Sequence, residues 1–180
     1  MARQVKTVYG TALFDAARDT GRLSSVREDA ETVLRVLDEN PDFLRVLCHP
    51  EIQQEEKEKI VDTVFGEKAD PLLCGLVETL LMKEHVKELP KVLSCFVEMA
   101  LEEEKIGVAH VLSALPLADK DKAAIEKKLL DTTRYESMRI SYEVEPELIG
   151  GLVIRLGDKV VDSSLKTKLY HMKNTLMTGV

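Results

Sequence analysis

Tryptophan is absent from this sequence of 180 residues, and aromatic side chains make up only 4% of it. Hydrophobic residues nevertheless account for 44% of the chain, which is the proportion of a folded protein and excludes disorder. Leu, Val, Ile and Ala must therefore fill the core, and such a core favours helices packed on helices. At this length we expect one large domain or two small ones.

The chain also lacks a dense cluster of Lys and Arg, and its net charge is −7. Binding nucleic acid requires cations that replace the counterions of the phosphates, so we expect no nucleic-acid partner. No run of about 18 apolar residues occurs, and the first ten residues lack the apolar core of a signal peptide. The sequence therefore predicts no membrane span.

Cysteine is scarce, and its spacing argues against both disulfides and metal sites. Cys48, Cys74 and Cys95 are far apart, odd in number and set among apolar residues. They are typical of reduced thiols in a core. No CxxC pair occurs and the histidines do not cluster with the cysteines, so we expect no metal site, and no sequence motif indicates a catalytic or cofactor-binding site.

The first hundred residues have the apolar periodicity of six helices joined by short connections, which predicts a bundle. Apolar positions near i, i+3, i+4 and i+7 mark the first helix at Val5, Val8, Tyr9, Ala12, Leu13 and Ala16. Ser24 or Ser25 is the expected cap of the second helix. Pro41 and Pro71 are expected in the first turns of the third and fifth helices.

After about residue 105 the pattern changes to short alternating segments. The alternation of 138–144 predicts a half-buried strand, and Gly157-Asp158 predicts a hairpin. We expect a protein that is mainly α with a small α+β part, in which a six-helix bundle (1–105) precedes an α+β domain (106–180). The expected order of elements in the second domain is β-α-β-β-β-α.

The segment PELIGGLVIRLGDKVVDSSL (146–165) resembles a phosphate loop at first sight. A phosphate loop places its glycines between a strand and the helix that follows, whereas Gly150 and Gly151 precede a strand. The glycines are therefore predicted to serve the fold. Asp162 or Ser163 is the expected cap of the last helix, whose apolar stripe is Leu165, Leu169, Met172 and Leu176.

The fifth helix, PLLCGLVETLLMK, is apolar around almost its whole circumference. One interpretation is a central helix enclosed by its own bundle, and the residues alone favour it. The other is that one face packs inward while the opposite face receives an amphipathic helix of a partner. Gly75 and Thr79, one turn apart, would let a second backbone come close.

Four segments, in order along the chain, resemble the delta subunit family of F-type ATP synthases, which includes the mitochondrial oligomycin-sensitivity-conferring protein. They are VYGTALFDAA (8–17), NPDFLRVLCHPEI (40–52), VLSALPL (111–117) and the 146–169 segment, whose order is P-x-L-I-G-G-L-x-I-R-x-G-D-x-V-x-D-x-S-x-x-x-x-L. Gly10 replaces the alanine that the family pattern has at this position.

The resemblance implies a non-catalytic stator subunit that joins the catalytic head to the peripheral stalk and resists the rotor's torque. It implies that the bundle binds the N-terminal helix of an alpha subunit, and that the second domain binds the C-terminal end of the b subunits through its last helix and hairpin. One copy per hetero-oligomeric complex, on the cytoplasmic face of the inner membrane, is implied as well. Carried over by position, the alpha-subunit groove comprises Tyr9, Ala12, Leu13, Ala16, Leu76, Thr79, Leu80 and Lys83.

Two other functions remain open on the residues alone. A free helical adaptor would share the groove without belonging to an ATP synthase. A small enzyme would need a pocket with convergent polar groups at the junction of its domains.

Overall fold

A computed structural model describes residues 2–49, 52–66 and 69–178 of the chain. The chain divides into two compact units, Met1–Leu101 and Glu102–Val180, called the first and second units below. The predicted fold class is confirmed: a helical part is followed by a small mixed α+β part. None of the described helices is long and apolar enough to cross a bilayer.

Six helices build the first unit, as the periodicity predicts. They are α1 (Ala2–Asp19), α2 (Leu23–Glu39), α3 (Pro41–Leu47), α4 (Gln54–Phe65), α5 (Pro71–Met82) and α6 (Leu89–Glu103). A short 3-10 helix, Val86–Glu88, precedes α6 and was not expected from the sequence. Pro41 and Pro71 occupy the first turns of α3 and α5, as predicted.

Aliphatic residues from all six helices form the core of the first unit, with Phe65 and Phe96 as its buried aromatic side chains among the described residues. The stripe predicted for α1 is partly wrong, because Val8 and Ala12 are exposed. Among the α1 residues whose burial is described (5–19), the buried ones are Gly10, Leu13 and Ala17.

The predicted cap of α2 is also wrong. The helix begins at Leu23, before both serines, and the residue in front of it, Arg22, makes no capping hydrogen bond through its side chain. Gly21 adopts a φ of +65° and lets the chain turn sharply between α1 and α2.

A four-stranded sheet and two helices build the second unit, in the predicted order. They are β1 (Ile106–Ser113), α7 (Asp119–Thr132), β2 (Ser137–Val144), β3 (Leu152–Leu156), β4 (Lys159–Asp162) and α8 (Leu165–Thr178). The strand order is β2-β1-β3-β4, in which β1 and β2 are parallel and the other pairs antiparallel. The parallel pair requires a crossover, which α7 provides.

Strand β2 lies at one edge of the sheet and is only half covered. Met138 and Ile140 are half-buried, whereas Tyr142 and Val144 are exposed, so the predicted alternation holds for the first half of the strand. Helix α7 packs against β2, and the Tyr142 hydroxyl donates to the carbonyl of Lys122 at 3.4 Å.

The glycine-rich segment contains the turn before β3 and the hairpin between β3 and β4, and a nucleotide is not needed to explain it. A Cβ on Gly150 would lie 2.7 Å from Leu165 Cδ1, and Gly151 has a φ of +78°. Gly157 has a φ of +54° in the hairpin between β3 and β4.

The cap of α8 is Ser164, and the predicted Asp162 or Ser163 is wrong as the capping residue. The Ser164 hydroxyl accepts the N–H of Thr167 at 3.2 Å, and Ser164 precedes the first helical residue. Asp162 supports this cap from outside, because its carboxylate accepts the N–H of Ser164 at 2.8 Å and the hydroxyl of Thr167 at 2.7 Å.

Candidate functional site

Helix α5 is fixed at its start by a buried carboxylate. Asp70 accepts the N–H of Leu72 at 2.9 Å, so it caps the helix. The same carboxylate accepts a hydrogen bond from Arg22 Nη1 at 3.0 Å, and the Asp70 N–H donates to Asp29 at 2.8 Å. The beginning of α5 is thereby held against the turn that follows α1.

Helices α1 and α5 pack against each other in opposite directions. The Arg22–Asp70 pair joins the end of α1 to the beginning of α5, and the 3-10 helix that follows α5 contacts α1 again. On another side, α1 approaches α6 closely, because a Cβ on Gly10 would lie 3.4 Å from Cys95 Cβ and from the Val92 carbonyl oxygen. Helix α1 therefore has core neighbours on at least two of its sides.

The eight residues predicted to bind a partner helix fall into three groups by exposure. Those buried in the core of the first unit are Leu13, Leu76 and Leu80. Those that are half-buried are Tyr9 and Ala16. Those that are exposed are Ala12, Thr79 and Lys83. Leu76 and Leu80 are thus enclosed by the bundle itself, and the exposed residues of the predicted set at this end of α5, Thr79 and Lys83, are polar.

Two exposed apolar side chains on these helices were missed as contact residues. Val8 of α1 is 63% exposed and Met82 of α5 is 65% exposed, although α1 and α5 pack together. Gly75 has open space where a Cβ would stand. A signal was present in the sequence, since Met82 follows Gly75 and Thr79 at helical spacing. The "α1/α5 surface" below means Val8, Ala12, Gly75, Thr79 and Met82.

A second exposed apolar surface lies on the last helix and the hairpin. Its exposed large side chains are Val160, Val161, Leu165, Leu169, Tyr170, Met172 and Met177. No side chain that the structure describes in α8 is buried. Large exposed apolar surfaces are typical of interaction sites in soluble proteins.

The sheet brings together one Ser–His pair that the sequence does not reveal. Ser141 of β2 lies directly opposite His110 of β1, and its Oγ is 2.5 Å from His110 Nδ1. Both side chains are exposed. A serine nucleophile requires preorganised donors in a site from which water is excluded, so this pair is a cross-strand hydrogen bond of the sheet.

Cys74 of α5 is the cysteine with a perturbed pKa. Burial raises the pKa of its thiol, and the carboxylates of Glu78, Asp62 and Asp70 raise it further. A raised pKa disfavours the thiolate, which is the reactive form. Cys74 therefore has the properties of a packing residue.

Comparison with known families decides between the open alternatives. The sequence profile of the ATP synthase delta (OSCP) subunit family matches residues 5–176. The chain belongs to this family. It is therefore a non-catalytic, structural subunit of the ATP synthase, the peripheral-stalk component that links F1 to the stator.

Several curated relatives match over nearly their whole length. The ATP synthase subunit delta of Lachnoclostridium phytofermentans is 36% identical over 176 residues, which cover 98% of this chain and 97% of the relative. That of Moorella thermoacetica is 40% identical over 161 residues, covering 89% of each chain.

A solved structure shares the fold of this delta-family chain. The chain resembles one in the cryo-EM structure of the Toxoplasma gondii mitochondrial ATP synthase hexamer, with a TM-score of 0.75. The match covers 96% of this chain and 97% of that one at 23% identity, so it bears on the fold alone.

Proposed function

We propose that the first unit binds the N-terminal helix of an ATP synthase alpha subunit on the α1/α5 surface. The observation that supports this is the exposure of Val8 and Met82 on two helices that pack against each other. Ala12, Gly75 and Thr79 add little bulk, which allows a partner helix to approach closely.

The packing beneath the α1/α5 surface suits a rigid contact. Leu76 and Leu80 lie below it in the core, where Leu80 is 0% exposed, so they support the surface from inside. Apolar burial contributes about 25 cal/mol per Å² before the costs of association are subtracted. A surface that does not need to rearrange keeps those costs low.

The second unit, in this proposal, binds the C-terminal end of the stalk b subunits. Support comes from the apolar side chains of α8 and of the hairpin between β3 and β4, which are exposed in the free chain. With one contact on each unit, a single copy joins the head to the stalk and transmits torque without chemistry. We place this copy at the cytoplasmic face of the inner membrane, attached through the complex.

Substitution of Thr79 tests the alpha-subunit contact. Thr79→Arg adds a long charged side chain in the middle of the α1/α5 surface. We expect it to weaken binding of a synthetic peptide from the alpha-subunit N-terminus by about tenfold or more, because overpacking a well-fitted contact costs about 1–3 kcal/mol. Fluorescence anisotropy with a labelled peptide measures the affinity.

Thr63→Arg on α4 is the matched control. Thr63 is also an exposed helical threonine of the first unit, and both hydroxyls donate to the carbonyl four residues earlier at 2.7 Å. Only the Thr79 variant should lose affinity, with helical circular dichroism unchanged in both. Equal binding to the two variants would show that the peptide docks elsewhere.

A further inference from the structure

Beyond its first turn, helix α8 is left uncovered by the second unit wherever its side chains are described. The segment from its cap to its first turn is held in place, with Ser164 buried and Lys166 paired with Glu147 at 3.2 Å. Every side chain described after Thr167 is exposed, including Leu169 at 55% and Met172 at 63%. A lone helix of 14 residues is only marginally stable in water, so this helix needs a partner to gain tertiary contacts.

The apolar residues of α8 have the spacing of a coiled-coil seam. Leu165, Leu169, Met172 and Leu176 are separated by four, three and four residues, which places them at successive d, a, d and a positions of a heptad. These four residues form a continuous seam, and Tyr170 and Met177 lie beside it at b positions. Residues at a and d of such a heptad pack between the side chains of a second helix, so the pattern favours a helix as the occupant.

The charges that border this seam all have one sign. In the same register Lys166 and Lys173 occupy e positions and Lys168 occupies a g position. Helix α8 contains no Asp or Glu, although the whole chain has a net charge of −7. Residues at e and g form the interhelical ion pairs that determine which partner is chosen.

A second copy of α8 is the wrong partner on electrostatic grounds. In a parallel pair the g residue of one helix faces an e residue of the other, and in an antiparallel pair g faces g and e faces e. In each case a lysine would meet a lysine, and like charges are unfavourable.

We infer that α8 forms one strand of a heterotypic coiled coil, whose other strand is an amphipathic helix with an apolar heptad seam and Glu or Asp at its e and g positions. This inference rests on the proposed function, in which the stalk subunit supplies that helix. It adds the chemical class of the partner and assigns Lys168 and Lys173 as the residues that select it. Lys166 contributes less because Glu147 already engages it.

Three designed peptides test this inference with the full-length chain. Each is about three heptads long. The first has Leu and Ile in its seam and Glu at e and g, the second has the same seam with Lys at e and g, and the third has Glu at e and g with Ala in the seam. We expect the first to bind at least about tenfold more tightly than the second, because exposed ion pairs contribute up to about 1 kcal/mol each.

The salt dependence and the third peptide separate the two parts of the contact. Raising the salt concentration should weaken binding of the first peptide, because ions screen exposed charges. The third peptide should not bind measurably, since the seam supplies the affinity. Equal affinity for the first two peptides at low salt would overturn the inference, because apolar adhesion alone would then explain binding.

Charge reversal provides the variant test. The double variant K168E/K173E should prefer the second peptide to the first. The matched control is K127E/K128E, which reverses two exposed lysines of α7 and should leave the preference unchanged. A K168E/K173E chain that still prefers the first peptide would overturn the assignment of these lysines. A preference of the wild-type chain for anionic vesicles over the first peptide, or dimerisation in sedimentation, would overturn the proposed occupant.

A further binding measurement distinguishes failure of this inference from failure of the proposed function. The C-terminal segment of the organism's own b subunit is measured against wild type and K168E/K173E. If that segment binds both equally, the stalk contact stands and the inference fails. If the first peptide binds selectively while the b segment does not bind, the inference stands and the assigned partner is wrong.

Discussion

The two units differ in how many of their apolar side chains are buried in a core. The first unit buries aliphatic residues from all six of its helices in one cluster, whereas the buried cluster of the second unit consists of Ala114, Leu148 and Val153. Helix α7 has no buried residue. Small domains bury a smaller fraction of their surface, so the second unit has little to gain from its own core. We therefore expect the second unit to gain more stability from a bound partner than the first.

Replacing one leucine by alanine in each unit should show this difference in core burial most clearly. Leu93 of α6 is fully buried, so Leu93→Ala should lower the free energy of unfolding by about 2–5 kcal/mol. Leu169 of α8 is largely exposed, so Leu169→Ala should change it by no more than about 0.5 kcal/mol in the free chain. Urea unfolding followed by circular dichroism, with hydrogen exchange to separate the units, measures both.

The two substitutions should have the opposite ranking when their effect on partner binding, rather than on unfolding, is measured. Once the acidic coiled-coil peptide is bound, Leu169→Ala should weaken the complex, while Leu93→Ala should leave its affinity unchanged wherever the first unit stays folded. If Leu169→Ala destabilised the free chain as much as Leu93→Ala, α8 would have to be packed without a partner, and the contrast between the units would be lost.

A smaller effect on stability is expected at the start of α5, which is capped by the buried carboxylate of Asp70. Asp70→Ala removes the cap of α5 and the partner of Arg22, and should lower stability by about 1–2 kcal/mol. Asp42→Ala is the control. Asp42 pairs with Arg45 at 2.7 Å on an exposed surface, and such pairs contribute about 0–1 kcal/mol. Thermal unfolding of the two variants compares them, and equal losses would contradict a structural role for the Asp70 network.

The helices of the first unit could be predicted because the side chains that pack into its core recur along the sequence at helical spacing. In α6, Val92, Phe96 and Ala100 are spaced as a helical stripe and are all 0% exposed. Spacing alone could not orient α1, where Val8 and Leu13 are equally apolar. The neighbours of α1 decide which of them is buried, and these contacts are distant in sequence.

The candidate site was predictable only in part for the same reason. Leu76 and Thr79 lie one turn apart on α5, yet one is buried and the other exposed. A helix that is apolar almost all round gives only a faint periodic signal for its open side, here the spacing of Gly75, Thr79 and Met82. The caps were mispredicted because several neighbouring residues could serve. Ser164, rather than Asp162 or Ser163, caps α8 because Asp162 is used to hold the Ser164 N–H.

The smallest predicted effect is a pH dependence of that cap in the second unit. The Ser164 N–H and the Thr167 hydroxyl hold the pKa of Asp162 below its ordinary value of 3.8, and His171 adds to this. The folded state therefore favours the carboxylate. This contribution is complete above the ordinary pKa and is lost as the pH falls from 3.8 through the lower folded value.

Asp162→Asn keeps an acceptor oxygen near Ser164 but cannot titrate, so it isolates this contribution. We expect the Ser164 amide resonance and the helical order of α8 to change on acidification in the wild-type chain, and to change less in the variant. NMR titration from neutral pH to below 3.8 records both. Identical profiles would mean that other carboxylates cause the acid response. A larger response in the free chain than in the peptide-bound chain would show that the cap matters most while α8 lacks its partner.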